Sequence, residues 1–287
     1  MKKVLVFAAV LVAAVCSAKA EVSFGYDAGA DIVSSYIWRG QYNGGLSLQP
    51  EAQFGFDSEN MSFRVGAWAN VGITDWKFQK GLPTSDDFNP NTYFVPEVDI
   101  IGSFSFYGAS VGFNHYYYCD GHSFFNWKSV EDIANDGGKS TTEVWAGYNF
   151  GHSFGSKAGA YINWYTTVAG NDLVYDEETG DPKRAWSSYL EVGYDYTWET
   201  VGITLGAQVG MSPWKSDLYG NDKFAVTNVS VKFNKEWVVG PCSINLFAQI
   251  SVNPDGINKD NIFIWKAGDE ILYNQKLNEV VGVGFWF

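Results

Sequence analysis

From Val22 to Trp38 the chain alternates, with Ser34 falling in the apolar set and Val33 and Ile37 in the small, polar one. Val22, Phe24, Tyr26, Ala28, Ala30, Ile32, Tyr36 and Trp38 form one set, and Ser23, Gly25, Asp27, Gly29, Asp31 and Ser35 fall between them. A period of two is the signature of an extended strand, whose successive side chains point to opposite faces. The rhythm returns in eleven further segments, among them Leu46 to Phe56, Met61 to Ile73, Val98 to Phe106, Leu190 to Trp198, Val201 to Met211, Ile244 to Val252 and Val281 to Phe287. Twelve strands are predicted, each with one greasy, aromatic-rich face and one face of Gly, Ser, Asn, Gln and charges.

Charge gives a partly separate check on these faces. A charge facing hydrocarbon costs about 2–4 kcal/mol at mid-bilayer and little near the rim. Asp27, Asp31, Glu51, Arg64, Glu97, Asp99, Glu143, Glu191, Asp195 and Lys232 all fall on the polar face, whereas only Lys235 and Glu279, each near a strand end, fall on the greasy one. The connections carry a second rhythm. Those after strands two, four, six, eight and ten are short (57–60, 107–108, 151–156, 199–200 and 235–241). Those after strands three, five, seven, nine and eleven are long (74–93, 119–140, 169–185, 212–224 and 253–276). The first loop, 39–45, is the exception at moderate length. Short periplasmic turns alternating with long outer loops predict an all-β fold, a closed antiparallel up-and-down transmembrane β-barrel of about twelve strands with both termini in the periplasm. A soluble sandwich or lipocalin-like barrel also alternates, but the large aromatics of twelve strands would overfill its core. Pro50 and Pro96, unable to donate to a ladder, are expected at kinks or bulges near the rim.

The ends refine the picture. Lys2 and Lys3, an apolar run from Val4 to Val15, and Ser17-Ala18-Lys19-Ala20 read as a cleaved export signal over residues 1–20, leaving 21–287 as the barrel. Cys16 follows Val15, a poor context for lipidation. The last residues, Val281, Val283, Phe285 and Phe287, resemble the C-terminal strand that outer-membrane barrel-assembly machinery recognises, with Phe285 and Phe287 as the signal. The chain has 19 basic and 32 acidic residues; removing Lys2, Lys3 and Lys19 leaves 16 against 32. That balance excludes nucleic acid as a partner, since phosphate binding needs a basic surface. The export signal implies an oxidising compartment, but Cys119 and Cys242 fall at opposite ends of the predicted barrel, so no disulfide is expected.

Candidate chemistry concentrates on the inward face. Glu51, Glu97, Glu143 and Glu191 recur at steps of 46, 46 and 48 residues, each on a descending strand. With Asp99 and Asp195 they form an acidic stripe that favours cations, or they pair with Arg64 and Lys232 and fill the interior. Trp68, Tyr116, Trp145, Tyr161, Tyr165, Tyr189, Phe247 and Trp286 face the same way, either as an amphipathic path for a small solute or as the plug of a narrow barrel. The acidic outer loops, such as Asp86-Asp87, Asp132 with Asp136, Asp176-Glu177-Glu178 with Asp181, and Asp255 with Asp260, lack the ligand spacing of a calcium loop. Solvated loops, or loops bridged to lipopolysaccharide by divalent ions, are expected instead. Catalysis is not expected. The twelve-stranded outer-membrane phospholipase architecture pairs a lipid-facing His with a Ser two residues on, and here His115 is followed by Tyr117. His122 and His152 are loop residues without metal-like spacing. No metal and no cofactor is implied.

Ser35-Tyr36-Ile37-Trp38-Arg39-Gly40, Phe63-Arg64-Val65-Gly66-Ala67-Trp68-Ala69, Pro96-Glu97-Val98-Asp99 and Glu143-Val144-Trp145-Ala146-Gly147-Tyr148 together resemble the TorF-like porin family, outer-membrane barrels of Gram-negative bacteria. That family opens with a similar aromatic-x-aromatic-Arg-Gly end to its first strand, often with Asp where this chain has Ser35. The resemblance implies a porin role and brings no functional residue with it. The sequence therefore points to a passive outer-membrane channel for small hydrophilic solutes, biased toward cations. Its expected partners are membrane lipid, lipopolysaccharide and the assembly machinery. The alternative is a structural or surface-interaction barrel with a filled lumen and partner-binding loops.

Overall fold

The computed structural model describes residues 22–73, 97–119, 121–136, 138, 140–151, 159–216, 218–255, 266–267, 270–271 and 277–287. The leader expected over 1–20, together with Asp86-Asp87, Pro96, His152 and Asp260, lies outside them. Twelve antiparallel strands close into one barrel: β1 (Ser23–Val33), β2 (Ser47–Ser58), β3 (Met61–Gly72), β4 (Glu97–Phe106), β5 (Ala109–Tyr117), β6 (Thr141–Asn149), β7 (Gly159–Gly170), β8 (Ser188–Trp198), β9 (Ile203–Ser212), β10 (Ala225–Val239), β11 (Cys242–Val252) and β12 (Leu277–Trp286). Each strand pairs with its neighbours in sequence. β12 closes on β1 with Gly29 opposite Trp286 and Val33 opposite Gly282. Closure leaves the sheet without an open edge of unpaired backbone groups.

The register fixes which face meets which solvent. Phe54, Val111 and Leu246 are 64%, 44% and 41% exposed on the outside, in cross-strand rows with Tyr26 and Val65, with Phe104 and Ala146, and with Lys235 and Val283. The buried side chains are instead largely polar: Ser47, Asn70, Glu97, Asp99, Glu143, Thr167, Asn228, Ser230, Ser251 and Asn278. This is the reverse of a soluble fold, where apolar residues go inside. No helix among the described residues is long and apolar enough to cross a membrane, which leaves crossing by strands untouched. The short helix α1 (Val130–Asp136) lies in the connection between β5 and β6.

Four details depart from the pattern-based expectation. β1 stops at Val33, and Tyr36 and Trp38, expected on the greasy face, belong to a separate small hairpin inside the barrel. The turn expected over 235–241 is only Gly240-Pro241. Pairing continues through Trp237 opposite Ile244 to Val239 opposite Cys242, because the alternation runs on past the charged Lys235 and Glu236. Pro50 makes no bulge. Pairing of β2 with β3 skips Gln49 and Pro50 and resumes in the same register at Glu51 opposite Trp68. The turn between β8 and β9, expected at Glu199-Thr200 alone, runs to Gly202. No disulfide joins Cys119 and Cys242.

Candidate functional site: the lumen and its inward hairpin

The two serines after β1 redirect the chain. Ser34 donates its backbone N–H to the Val281 carbonyl (2.8 Å) and its Oγ accepts from the Val281 N–H (2.9 Å), while the Ser35 hydroxyl reaches the Glu279 carbonyl. Side-chain bonds of this kind compete with ladder pairing and end the strand. Tyr36–Trp38 then pairs with Gln41–Gly44, Trp38 lying opposite Gln41. The two residues between them, Arg39 and Gly40, have φ of 49° and 84°. Positive φ at both central positions is the primed turn that suits a two-residue hairpin. Glycine takes it freely, whereas arginine does so at a cost of order 1–3 kcal/mol. Glycine is also required at position 40 by space, since a Cβ there would stand 2.4 Å from the Thr227 carbonyl oxygen. The Gly40 carbonyl accepts from Asn278 Nδ2 (2.8 Å), and Gln41 Nε2 donates to the Leu218 carbonyl (3.0 Å). The hairpin thus leaves the β1 wall and is tied to β10, to β12 and to the loop that follows β9.

Its tip delivers Arg39 to a prepared socket. The guanidinium forms a two-pronged pair with Glu143, Nη1 to Oε2 at 2.6 Å and Nη2 to Oε1 at 2.8 Å, with side-chain exposures of 9% and 1%. Glu143 Oε1 also accepts from Asn114 Nδ2 and from the Tyr116 hydroxyl, each at 3.1 Å. Arg39 Nη1 donates to the Tyr219 hydroxyl. Aromatic faces cover the rest. The guanidinium carbon lies 4.0 Å from the ring centre of Tyr165 and 4.7 Å from those of Tyr189 and Trp38. Trp38 stacks on Tyr219 at 5.6 Å and meets Tyr116 edge-on at 5.9 Å, and Tyr189 stacks on Tyr219 at 5.5 Å. Burial is the largest single influence on Arg39 and lowers its pKa, but Glu143, Tyr219 and Tyr116 together outweigh it and hold the pKa well above the ordinary value, so the charge is kept.

The other inward residues fall into two tiers. Toward the long-loop end, Glu97 and Asp99 are buried, with the Tyr36 and Tyr118 hydroxyls on Glu97 and Tyr36 packed on Trp68 at 5.4 Å. Trp145 packs on Tyr165 at 6.1 Å, and Tyr189 is wholly buried. Toward the short-turn end the side chains are partly open to solvent. Glu191 accepts from Gln208 Nε2 (3.2 Å), whose Oε1 accepts from the Tyr161 hydroxyl (3.2 Å). Asp195 pairs with Lys232 at 3.3 Å. Arg64 pairs with Asp57 and with Asp27. Glu51 accepts from Gln53, and Asp31 from Trp286 Nε1 (3.1 Å). The structure therefore brings together Glu143 and Tyr189 at the hairpin tip, with Trp145 behind Tyr165, and brings together Glu191 and Tyr161 at Gln208, with the Asp195–Lys232 pair beside Tyr161. It sets Glu51 and Arg64 apart from both groups.

Arg39, Asn114 and Tyr219 are the residues that sequence reasoning did not single out. The available signal was the first loop, too short to match its fellows, with a cation at its tip behind two aromatics. Asn114 and Tyr219 had no signal, because only closure of the barrel brings β5 and the loop after β9 to that cation.

Outside the barrel, His115 is covered by the loop after β5. Its Nε2 meets the Phe124 carbonyl (2.7 Å) and its Nδ1 meets Thr142 Oγ1 (2.9 Å), to which Trp127 Nε1 also donates (2.7 Å). Both ring nitrogens are engaged in structural contacts. In the loop between β7 and β8, Asp176 is held by Lys183 and by the N–H groups of Thr179 (3.1 Å) and Glu178 (3.0 Å). A lysine supplies the cation there.

No family model matches the chain, so the TorF-like resemblance rests on its short motifs. No curated protein matches it either. Solved structures similar in shape include an OmpF of Salmonella typhi in complex with daunomycin (9% identity, 93% of this chain and 98% of that one, TM-score 0.38) and the monoaromatic hydrocarbon channel CymD (10%, 91% and 88%, 0.39). A FadL homologue of Pseudomonas aeruginosa is a third (12%, 93% and 75%, 0.36). A likeness of this depth carries no solute from one chain to another. What this barrel passes or holds has to be read from its own lumen.

Proposed function

We propose that this protein is a passive channel of the Gram-negative outer membrane for small hydrophilic solutes, with a bias toward cations and neutral molecules. The observation that carries the reading is the division of the lumen. The inward carboxylates Asp31, Glu51, Glu191 and Asp195 are half-exposed, whereas Glu97, Asp99 and Glu143, close to the long loops, are buried among aromatic side chains. Carboxylates facing a wet lumen raise the local concentration of cations and repel anions. On this reading the apolar outer face lies in lipid, and residues 1–20 are the export signal. Phe285 and Phe287, both exposed on the outside, present the terminal strand to the assembly machinery, and the acidic loops face lipopolysaccharide. Membership of the TorF-like porin family is part of the same proposal. Purified barrel in planar bilayers under a salt gradient should give a reversal potential of the sign for cation preference. Anion preference would overturn the bias, and absence of conductance from the folded native barrel and from its hairpin variants alike would overturn the channel.

A second reading has its own observation. Tyr36, Trp38, Arg39 and Tyr219 fill the long-loop half, as in a structural barrel whose outer loops bind a partner. Conductance that is absent from the native chain and from variants of the hairpin would favour it.

A further inference from the structure

We infer that the socket around Arg39 is a binding site for guanidinium-class organic cations, and that Arg39 is a tethered occupant of it. The inference deepens the channel reading and rests on it for its consequence: the section around Glu143 would recognise this class of solute, and the hairpin would close it by occupying the site. The socket has the parts such a cation needs. Glu143 presents both carboxylate oxygens in a plane and is fixed there by Asn114 and Tyr116. Tyr165 and Tyr189, from adjacent strands, present ring faces to the cation at 4.0 and 4.7 Å. A planar, weakly hydrated guanidinium matches a carboxylate fork and stacks on aromatic faces, whereas a compact, strongly hydrated ammonium does neither as well.

Three observations separate this site from ordinary interior packing. The carboxylate and the two tyrosines belong to barrel strands β6, β7 and β8, so they stay in place if the hairpin leaves. The occupant comes from a loop whose tip residue holds a left-handed backbone that arginine does not favour. The other inward cations, Lys232 and Arg64, keep to separate carboxylates, Asp195 for the first and Asp27 with Asp57 for the second. A soluble guanidinium of the right shape therefore competes with one tethered side chain and with nothing else in the described socket.

The test is complementation of an emptied site. Arg39→Ala, folded in detergent and verified by heat-modifiable migration, is titrated with ethylguanidinium, and binding is read by saturation-transfer NMR. Ethylurea, of the same shape but uncharged, and ethylammonium, charged but without the fork, are the controls. Saturable binding at roughly millimolar concentration is expected for Arg39→Ala, with weaker binding of ethylammonium and none of ethylurea. The native chain, whose socket is filled, and Arg39→Ala/Glu143→Leu, whose fork is gone, are expected to bind at least about tenfold more weakly. Absence of binding to folded Arg39→Ala, or equal binding to the double variant, would overturn the inference. Bilayer recording of the same samples keeps the two claims apart. If Arg39→Ala conducts more than the native chain and ethylguanidinium reverses the gain, both stand. If it binds ethylguanidinium but never conducts, the site stands and the channel reading falls.

Discussion

Arg39 sets the character of the lumen at the scale of single residues. A buried ion pair is costly to form and costlier to break by halves, about 3–5 kcal/mol when one charge is left without its partner. In a strand that penalty would fall on the whole barrel. Arg39 sits on a hairpin, and an unpartnered guanidinium there can escape to water by carrying the hairpin with it. Glu143→Gln is therefore expected to speed hydrogen exchange of residues 36–44 by one to two orders of magnitude, at the lower end because the hydrogen bonds survive in part. The heat-modification midpoint of the barrel should shift little. A large fall in that midpoint with unchanged exchange at 36–44 would show that the hairpin is fixed by other contacts.

The small elements obey the same local chemistry as the large ones. The hairpin in the loop between β7 and β8 pairs Leu173–Tyr175 with Pro182–Arg184. Its Asp176 is held well below the usual carboxylate range, first by the hydrogen bond from Lys183 and then by the N–H groups of Thr179 and Glu178. A depressed carboxylate contributes stability that is present above its unfolded pKa and is lost as pH falls through its folded one. The hairpin is thus expected to keep its amide pattern through the ordinary aspartate titration and to loosen only in stronger acid. Asp176→Asn should show faster amide exchange at residues 173–184 already at neutral pH, and identical exchange in the two forms would rule the clamp out. Along the barrel strands, alternation made the strands themselves legible from sequence, with Phe54, Val111 and Leu246 exposed on the outside. It failed at Tyr36 and Trp38 because the period of two continues while the backbone turns. Periodicity records the alternation of side chains and says nothing about where the axis of the strand points.

At the scale of the whole molecule the barrel inverts the usual relation between exposure and stability. Val231 is among the most exposed apolar side chains on the outer wall and Gln249 lines the interior. In a soluble protein Val231→Arg would be nearly silent. Facing lipid it is expected to cost about 2–4 kcal/mol near mid-bilayer, whereas Gln249→Arg, facing the wet lumen, should stay within about 1 kcal/mol. Reversible urea unfolding from lipid vesicles would read the difference. Equal costs at the two positions would contradict an outer wall in hydrocarbon.

The sequence by itself determined the strand number, the antiparallel order of neighbours and the short turns after β2, β4, β8 and β10. Each of these depends only on the order of residues along one strand and its turn. The partners of the inward charges depended on closure. Asp195 with Lys232 was within reach of a sequence argument, since both lie inward two strands apart. Arg39 with Glu143 spans 104 residues and joins a loop to a wall that are adjacent only once the cylinder is shut. Only the tertiary structure decided that Arg39 meets Glu143 inside the barrel, because that required the first loop to fold inward, and two serines together with a glycine against Thr227 direct it there.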